Sequence, residues 1–152
     1  MNGQATQSPP VEPKRQHFSV FVPINYEDTD AGGIVYYPNY LAYMERARNA
    51  CLREMGYPLA QLVEVHQLLF VVTNVNIRYL SPGKLDDNLE ITLAIKSFKG
   101  ASIIFHQTVI RDATLLVEAE VKLAVVNSNT LKPRKLPEFL KTGLLDWARP
   151  GV

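Results

Sequence analysis

Cysteine is almost missing from this chain, because Cys51 is the only one among 152 residues. A single cysteine excludes an internal disulfide and a zinc site built from several cysteines, so we expect a reducing, cytoplasmic setting. Long apolar runs are missing as well. None approaches the roughly 20 residues that a membrane-spanning helix needs, and the N-terminus has no apolar secretory core. We therefore expect no insertion into a membrane.

An excess of one charge is also absent. The formal net charge of +1 argues against a nucleic-acid-binding protein held by bulk electrostatics. The three histidines, His17, His66 and His106, fall in different segments without the spacing of metal ligands. The sequence contains no Gly-x-Ser-x-Gly elbow, no phosphate-binding loop and no dinucleotide fingerprint. We therefore predict no metal site and no bound cofactor.

The overall composition of the chain is typical of one folded domain. Hydrophobic residues make up 47% of the chain, which is enough for a core of its own. Residues 1–15 are rich in Gln, Ser and Pro and cannot bury enough surface to offset the entropy of ordering, so we expect a disordered N-terminal tail. We predict a domain over residues 16–140 and a C-terminal tail over residues 141–152.

The stretch of residues 26–56 organises the rest of the chain. It opens as a loop rich in Asp and Gly, and Pro38 then fits the first position of a helix, where its missing N–H has no cost. Apolar residues follow at helical spacing as far as Gly56, which is a typical helix terminator. The regularly spaced apolar residues are Leu41, Met44, Ala47, Cys51 and Met55.

After this helix the apolar period changes to two, which predicts strands within residues 70–80, 89–96, 101–111 and 117–125. Residues 17–24, ahead of the loop, give a fifth strand. The fold class is therefore α+β, with a long central helix wrapped by a five-stranded, mostly antiparallel sheet. One helix cannot cover the sheet edges, and joining two edges across a two-fold axis would protect them. We expect at least a homodimer.

The loop ahead of the helix carries the candidate chemistry. Asp28 and Asp30 stand just before Gly32 and Gly33, and a helix N-terminus follows within a few residues. One interpretation is simple capping of the helix by acids. The other is an electrophile-activating pair, in which backbone N–H groups polarise a carbonyl while a carboxylate attacks it or activates water.

Three other features have a structural and a functional interpretation. Cys51 lies on the apolar stripe of the helix, where a buried inert thiol is more common than a nucleophile. His66 lies in the connector after the helix, and His106 has the parity of a surface position on its strand. The basic residues 132–135 are either a solvated segment or a clamp for an anion.

The residues of the loop and helix resemble a known family. Residues 26–48, YEDTDAGGIVYYPNYLAYMERAR, are similar to the motif of the hotdog-fold acyl-CoA thioesterases, in the 4-hydroxybenzoyl-CoA thioesterase superfamily, and most similar to its YbgC branch. The resemblance continues through the stretches FVVTNVNIRYLSPGKLDDNLEI, SFKGASIIFHQ, EAEVKLAVVN and KPRKLPEFL. It covers about residues 17–140. It implies the hotdog fold and hydrolysis of an acyl- or aroyl-CoA thioester to free acid and coenzyme A.

The resemblance also implies roles for individual residues. Asp30 matches the catalytic carboxylate, acting as nucleophile or as general base, and the backbone N–H of Tyr37 matches the oxyanion donor. The YbgC branch commonly carries His at the position of Tyr37, whereas the 4-hydroxybenzoyl-CoA enzymes carry Tyr. The remaining positions implied to bind substrate, including its coenzyme A part, are Gly33, Ile34, Pro38, Asn39, Lys99, Ser102, Lys132 and Arg134.

Two other functions stay open at this point. One is a non-catalytic subunit that binds acyl-CoA or acyl carrier protein, or acts as a scaffold. The other is a hotdog hydratase, which usually relies on a His paired with an acid, and residues 28–40 contain no His. The predicted assembly is a homodimer that pairs into a homotetramer, a dimer of dimers, although the sequence does not decide between dimer and tetramer. It does not reveal the acyl length or an aromatic preference.

Overall fold

The computed structural model describes residues 17–149, which form a single antiparallel sheet with three α-helices. The strand order is β1-β3-β4-β5-β2, and every neighbouring pair is antiparallel. This confirms the predicted α+β class with five strands around a central helix. The elements are β1 (Phe18–Pro23), a 3₁₀ turn (Tyr26–Asp28), α1 (Asn39–Glu54), α2 (Leu59–His66), β2 (Leu68–Tyr79), β3 (Asn88–Lys99), β4 (Ser102–Arg111), β5 (Thr114–Asn127) and α3 (Glu138–Trp147).

Helix α1 lies on the inner face of the sheet, where it packs against β1 and β3. Pro38 precedes its first residue and takes the N-cap place, one position earlier than predicted. Gly56 follows its end with a φ of +91°, which glycine adopts at little cost. Met44, Ala47 and Cys51 of the predicted stripe are buried, and so are Tyr40 and Tyr43, which we expect from the sequence to widen it. Leu41, by contrast, is 39% exposed.

The central strands follow the predicted alternation closely. Ile103, Phe105, Gln107 and Val109 of β4 are all buried on one face, as expected. The β3–β4 hairpin turns at Gly100 and Ala101, one position later than the residues 99–100 expected from the sequence, and Gly100 has a φ of +58°. The β4–β5 hairpin turns through two non-glycine residues with positive φ, which is the requirement of the tightest hairpin loops.

The C-terminal boundary at residue 140 was wrong. Instead of a tail from residue 141, α3 runs on to Trp147 and buries Leu140, Leu144 and Ala148 in the core. The Ile95 N–H donates to the Ala148 carbonyl at 2.9 Å, close to a bulge in β3. Leu140 and Leu144 lie one helical turn apart, so a short apolar face was enough to hold the segment. The predicted N-terminal tail, residues 1–15, lies outside the described residues.

Strands β1 and β2 form the two outer edges of the sheet. Pro23 ends β1, consistent with the edge position expected for a proline. Strand β2 pairs with β5 on one side along 12 residues, and Val71, Val72 and Tyr79 are exposed along it. Within residues 17–149, no helix is long and apolar enough to cross a membrane.

A buried amide connects α1 to the sheet. Gln107 is fully buried, and its Nε2 donates to the carbonyls of Met44 at 3.0 Å and Thr92 at 3.3 Å. Its Oε1 accepts a hydrogen bond of 2.8 Å from the guanidinium of Arg48. Burial lowers the pKa of Arg48, but a guanidinium keeps its proton in a protein. The hydrogen bond to Gln107 Oε1 therefore stabilises a positive charge that is partly removed from water.

We predict that Gln107→Leu lowers the free energy of unfolding by about 2 to 4 kcal/mol, because it leaves a half-buried cation and two carbonyls without partners. Urea unfolding at a fixed protein concentration measures the loss. The matched control is Gln61→Leu on the exposed face of α2, for which we expect a change within about 0.5 kcal/mol. Equal losses in the two variants would contradict a structural role for the buried amide.

Candidate active site

The loop before α1 folds back on itself as a short hairpin. Thr29 and Val35 form an isolated antiparallel bridge. Next to it the Asp30 N–H donates to the Ile34 carbonyl at 2.9 Å, and the Gly33 N–H donates to the Asp30 carbonyl at 3.0 Å. Gly33 has a φ of +76°, so its position at the tip favours glycine on backbone grounds alone. We call residues 28–37 the acid hairpin.

Asp28 anchors the acid hairpin to the start of α1. Its Oδ1 accepts a hydrogen bond of 2.7 Å from the Tyr43 hydroxyl, and its Oδ2 accepts one of 2.9 Å from the Asn25 N–H. The Asp28 carbonyl accepts from the Asn39 side-chain amide at 3.0 Å. Burial, and then the hydrogen bond to Asp28, raise the pKa of Tyr43, so its hydroxyl stays protonated as a donor. Both oxygens of Asp28 are therefore committed to structure.

Asp30 has a different environment from Asp28. It is exposed, and its Oδ1 accepts a single hydrogen bond of 2.8 Å from the Gly32 N–H. Among the residues that the structure describes, its other carboxylate oxygen has no hydrogen-bond partner. A Cβ atom at position 32 would lie 3.2 Å from Asp30 Oδ1, which is a tight approach. The hairpin therefore holds one carboxylate in place and leaves half of it free to react.

The second arm of the acid hairpin leads into α1. Tyr37 immediately precedes Pro38, and its backbone N–H meets no acceptor within residues 17–149. The next N–H groups are used locally, because Asn39 donates to the Tyr36 carbonyl and Leu41 donates to that of Pro38. An unpaired N–H at the positive end of a 16-residue helix is suited to bind a developing negative charge.

A cavity of about 270 Å³ lies beside this helix start. It includes Ile34, which is implied to bind substrate, and Tyr37, which is implied to supply the oxyanion donor, and it joins the acid hairpin to the end of β2. Sequence reasoning missed the other lining residues, since a contact between positions 37 and 79 leaves no trace in a local pattern. The full lining is Ile34, Val35, Tyr37, Tyr40, Tyr79, Leu80, Ser81 and Pro82.

The four residues implied to bind coenzyme A lie together at the other end of the sheet. Lys99 and Ser102 are paired across the β3–β4 turn. The Val125 N–H donates to the Ala101 carbonyl at 2.7 Å, and the Arg134 N–H donates to the Val125 carbonyl at 2.9 Å. Because Ala101 and Arg134 both bond to Val125, the segment 132–134 lies next to that turn. We call Lys99, Ser102, Lys132 and Arg134 the basic end.

Arg134 has a structural contact besides its implied role. One of its guanidinium nitrogens donates to the His66 carbonyl at 2.8 Å, and so satisfies the C-terminal end of α2. Lys132 and Lys99 are exposed. The structural contact of Arg134 leaves both lysine charges exposed. It is therefore compatible with an anion clamp in this segment.

The acid hairpin and the basic end are far apart within one chain. The hairpin contacts the segment just before β3, because the Val35 N–H donates to the Gly83 carbonyl. Strand β1, which leads into the hairpin, ends opposite the first residue of β3, where Pro23 pairs with Asn88. Lys99 is the last residue of the same 12-residue strand, which at about 3.3 Å per residue is roughly 36 Å long. The structure thus places the candidate residues in two groups at opposite ends of the sheet, and we call each group a half-site.

The remaining candidates, His106, His66 and Cys51, have surroundings that favour a structural role. His106 Nε2 lies 3.0 Å from Glu118 Oε1 on the outer face of the sheet. His66 packs its ring 4.9 Å from that of Phe139. Within residues 17–149, no three His, Cys, Asp or Glu side chains are grouped to hold a metal ion. Cys51 is fully buried in α1, and burial and then the charge of Glu54 raise its pKa to about 12.

Comparison with known proteins gives a consistent result. The family model of the thioesterase-like superfamily matches residues 24–144. The acyl-CoA thioesterase YbgC of Haemophilus influenzae is 42% identical over 124 residues, which cover 82% of this chain and 91% of that protein. A solved gentisyl-coenzyme A thioesterase superposes with a TM-score of 0.74 at 25% identity, over 81% of this chain and 98% of that one. The 1,4-dihydroxy-2-naphthoyl-CoA thioesterase from Synechocystis, at 20% identity, shares the fold with a TM-score of 0.79, over 88% and 99% of the two chains.

We predict that the Cys51 thiol does not react with Ellman's reagent in the folded protein. With a pKa of about 12, the thiolate fraction at pH 8 is about 10⁻⁴, and the side chain is shielded from solvent. In denaturant, where the pKa returns to about 8.5, one thiol per chain should react. Rapid labelling of the native protein would contradict the buried environment and reopen Cys51 as a nucleophile.

Proposed function

Because the chain belongs to the thioesterase-like superfamily, we propose that it hydrolyses the thioester of an acyl- or aroyl-CoA to the free acid and coenzyme A. The family assignment confirms the resemblance read from residues 26–48. The observation that carries the proposal is the acid hairpin, which holds the exposed Asp30 carboxylate and the unpaired Tyr37 N–H on its two arms, beside an apolar cavity.

In the proposed mechanism the two arms act on the same thioester carbonyl. The Tyr37 N–H donates a hydrogen bond to the carbonyl oxygen and stabilises its growing negative charge as Asp30 attacks the carbon, or as Asp30 takes a proton from the attacking water. The carbon–sulfur bond then breaks, and the thiolate of coenzyme A leaves and is protonated. In the covalent route, water hydrolyses the acyl–Asp30 anhydride in a second step. The scheme needs no cofactor beyond the coenzyme A of the substrate.

Two copies of the chain are proposed to complete each site. Two β2 strands paired antiparallel across a two-fold axis would place the Tyr79 end of one beside the Leu68 end of the other. The Tyr79 end lines the cavity at the acid hairpin, and the Leu68 end pairs with Asn127, which in turn bonds Lys132. The dimer would therefore bring the partner's basic end towards this chain's acid hairpin, across a gap that one chain cannot close.

Further parts of the proposal concern setting and assembly. A cytoplasmic location follows from the cysteine content, and a homotetramer would be a dimer of these dimers. Acyl carrier protein is a second possible acyl donor, since its thioester would present the same carbonyl to Asp30. Gly33 and Pro38 contribute through the backbone shape of the acid hairpin and the helix start, and Asn39 contributes through its side-chain amide, which donates to the Asp28 carbonyl.

We predict that Asp30→Asn keeps the fold and lowers turnover more than a hundredfold, because the amide neither attacks the carbonyl nor takes a proton from water. Release of the coenzyme A thiol from a panel of acyl-CoAs measures the effect. Asp112→Asn in the exposed β4–β5 turn is the matched control and should retain parental turnover. Near-parental turnover by Asp30→Asn would refute the assignment. Binding without thiol release by the parent chain would favour the non-catalytic subunit.

Mixing two defective variants tests whether the sites are shared between subunits. Asp30→Asn is one, and the double variant Lys99→Ala/Lys132→Ala, which should raise KM about tenfold or more, is the other. A heterodimer would contain one site with a parental Asp30 from one chain and parental lysines from the other. We expect it to recover about half of the parental turnover with the parental KM.

Differently tagged chains, co-purified through both tags, provide the heterodimer. A KM equal to that of the lysine double variant would mean that the lysines act on the Asp30 of their own chain. Sedimentation of the parent as a monomer at assay concentration would also contradict the shared site.

A further inference from the structure

The loop between β2 and β3, residues 80–87, supports the second arm of the acid hairpin. The Val35 N–H donates to the Gly83 carbonyl at 2.9 Å. Next to this contact, Ile34 forms an isolated antiparallel bridge with Lys84. We call this segment the β2–β3 loop. It is bonded to the arm of the hairpin that leads into α1.

The β2–β3 loop buries little apolar surface of its own. Its two leucines, Leu80 and Leu85, are 47% and 43% exposed, and Gly83 is the only one of its residues that is buried. The Gly83 N–H donates to the hydroxyl of Tyr40 at 3.0 Å, and a Cβ atom on Gly83 would lie 3.0 Å from a methyl group of Val35. The entropy of ordering this loop must therefore be offset largely by polar contacts.

An ion pair joins the two sides of the loop. Nη1 of Arg111, the last residue of β4, donates to Asp87 Oδ2 at 2.7 Å and to the Pro82 carbonyl at 3.3 Å. Asp87 Oδ2 also accepts a hydrogen bond of 2.8 Å from the Lys84 N–H. The two charged side chains are only 27% and 19% exposed, so salt screens them less than a pair at the open surface. Their contacts thus bracket Gly83 on both sides.

The ion pair is charged at neutral pH. Burial alone would raise the pKa of Asp87, but the hydrogen bonds from Arg111 and from the Lys84 N–H outweigh it, and the pKa lies below its usual range. The guanidinium keeps its proton in a protein. Because folding lowers this carboxyl pKa, the stabilisation is complete near neutral pH and is lost only as the pH falls through the lowered value.

We propose that Arg111 and Asp87 are positioning residues for catalysis, which act through the β2–β3 loop on the second arm of the acid hairpin. Their ion pair holds the Tyr37 N–H in place relative to the Asp30 carboxylate, although neither side chain touches the reacting atoms. The inference rests on the proposed thioesterase function. The first arm is tied to α1 through Asp28, so each arm has a support of its own.

Separate supports make the alignment of the two arms sensitive to the loss of either one. A displacement of about 1 Å at reacting groups can cost roughly a hundredfold in rate. The proposed contacts to coenzyme A, which forms most of the substrate, lie at the basic end and away from this ion pair. Loss of the pair should therefore lower kcat much more than it raises KM.

The test compares Arg111→Met with the parent chain, using release of the coenzyme A thiol from an acyl-CoA that the parent hydrolyses. We expect kcat to fall at least about tenfold while KM changes by less than about threefold. Arg111→Lys is the conservative variant. Because one nitrogen of Arg111 makes both contacts, an ammonium can replace it, and this variant should keep at least about a third of the parental kcat.

A second substitution asks whether the two residues act as a unit. Asp87→Asn removes the charge but keeps an oxygen acceptor for the Lys84 N–H, and it should lower kcat about threefold or more. The double variant Asp87→Asn/Arg111→Met should be no slower than Arg111→Met alone, whereas losses that multiply would contradict a shared ion pair. Should Arg111→Met fail to fold, the kcat and KM of Asp87→Asn decide the proposal.

Two controls separate positioning from a general loss of stability. Lys96→Met removes the exposed ion pair of Lys96 with Glu120 and should leave kcat and KM at their parental values. Gln107→Leu destabilises the fold away from the hairpin and, at a temperature at which it is folded, should also keep the parental kcat. An equal fall in kcat for Gln107→Leu and Arg111→Met would overturn the positioning role.

The outcomes for this proposal and for the proposed function differ. A folded Arg111→Met variant with parental kcat overturns the positioning role and leaves the thioesterase intact. A fall in kcat that Arg111→Lys does not restore would also contradict the ion pair as its cause. A parent chain inactive on every acyl-CoA refutes the proposed function itself.

Discussion

The hydrogen bond between the Asp28 carboxylate and the Tyr43 hydroxyl is the contact on which the half-site depends. It ties the acid hairpin to a buried residue of α1, and α1 in turn packs on the sheet. The neighbouring acid, Asp30, can then stay exposed without the loop losing its shape. Two carboxylates only two residues apart thus have opposite environments, one used up in anchoring and one left available. The backbone hydrogen bonds of the hairpin give the loop its shape, and the bond to Tyr43 fixes it relative to α1.

The two groups of candidate residues lie at opposite ends of the sheet. One end carries the acid hairpin and the aromatic cavity, and the other carries the basic end, with roughly 36 Å of β3 between them. The antiparallel pairing of two copies that we propose would bring unlike ends together. The exposed edge of β2 provides the surface on which that pairing would occur.

Much of this fold could be predicted from local patterns. The strands and α1 were readable because their apolar residues recur with periods of two and about 3.6, as at Ile103, Phe105 and Val109. Helix α3 was missed because its fully buried residues, Leu140 and Leu144, with Ala148 just after it, are too few for a clear period. The same distinction between local and long-range signals applies to the residues of the site. Asp30 stood out beside glycines and a helix start, whereas Tyr79 joins the cavity through a contact across the fold that no window of sequence contains.

The composition of β2 has a consequence for the newly made protein. Arg78 is the only charged residue in its 12 positions, so this edge has few of the lysines and prolines by which outer strands usually discourage sticking. In a single copy this edge is exposed, and the proposed pairing with a second copy would cover it. The yield of correctly assembled protein should then depend on how quickly two copies of the chain meet after synthesis. Unrelated unfolded chains would compete for the same exposed edge.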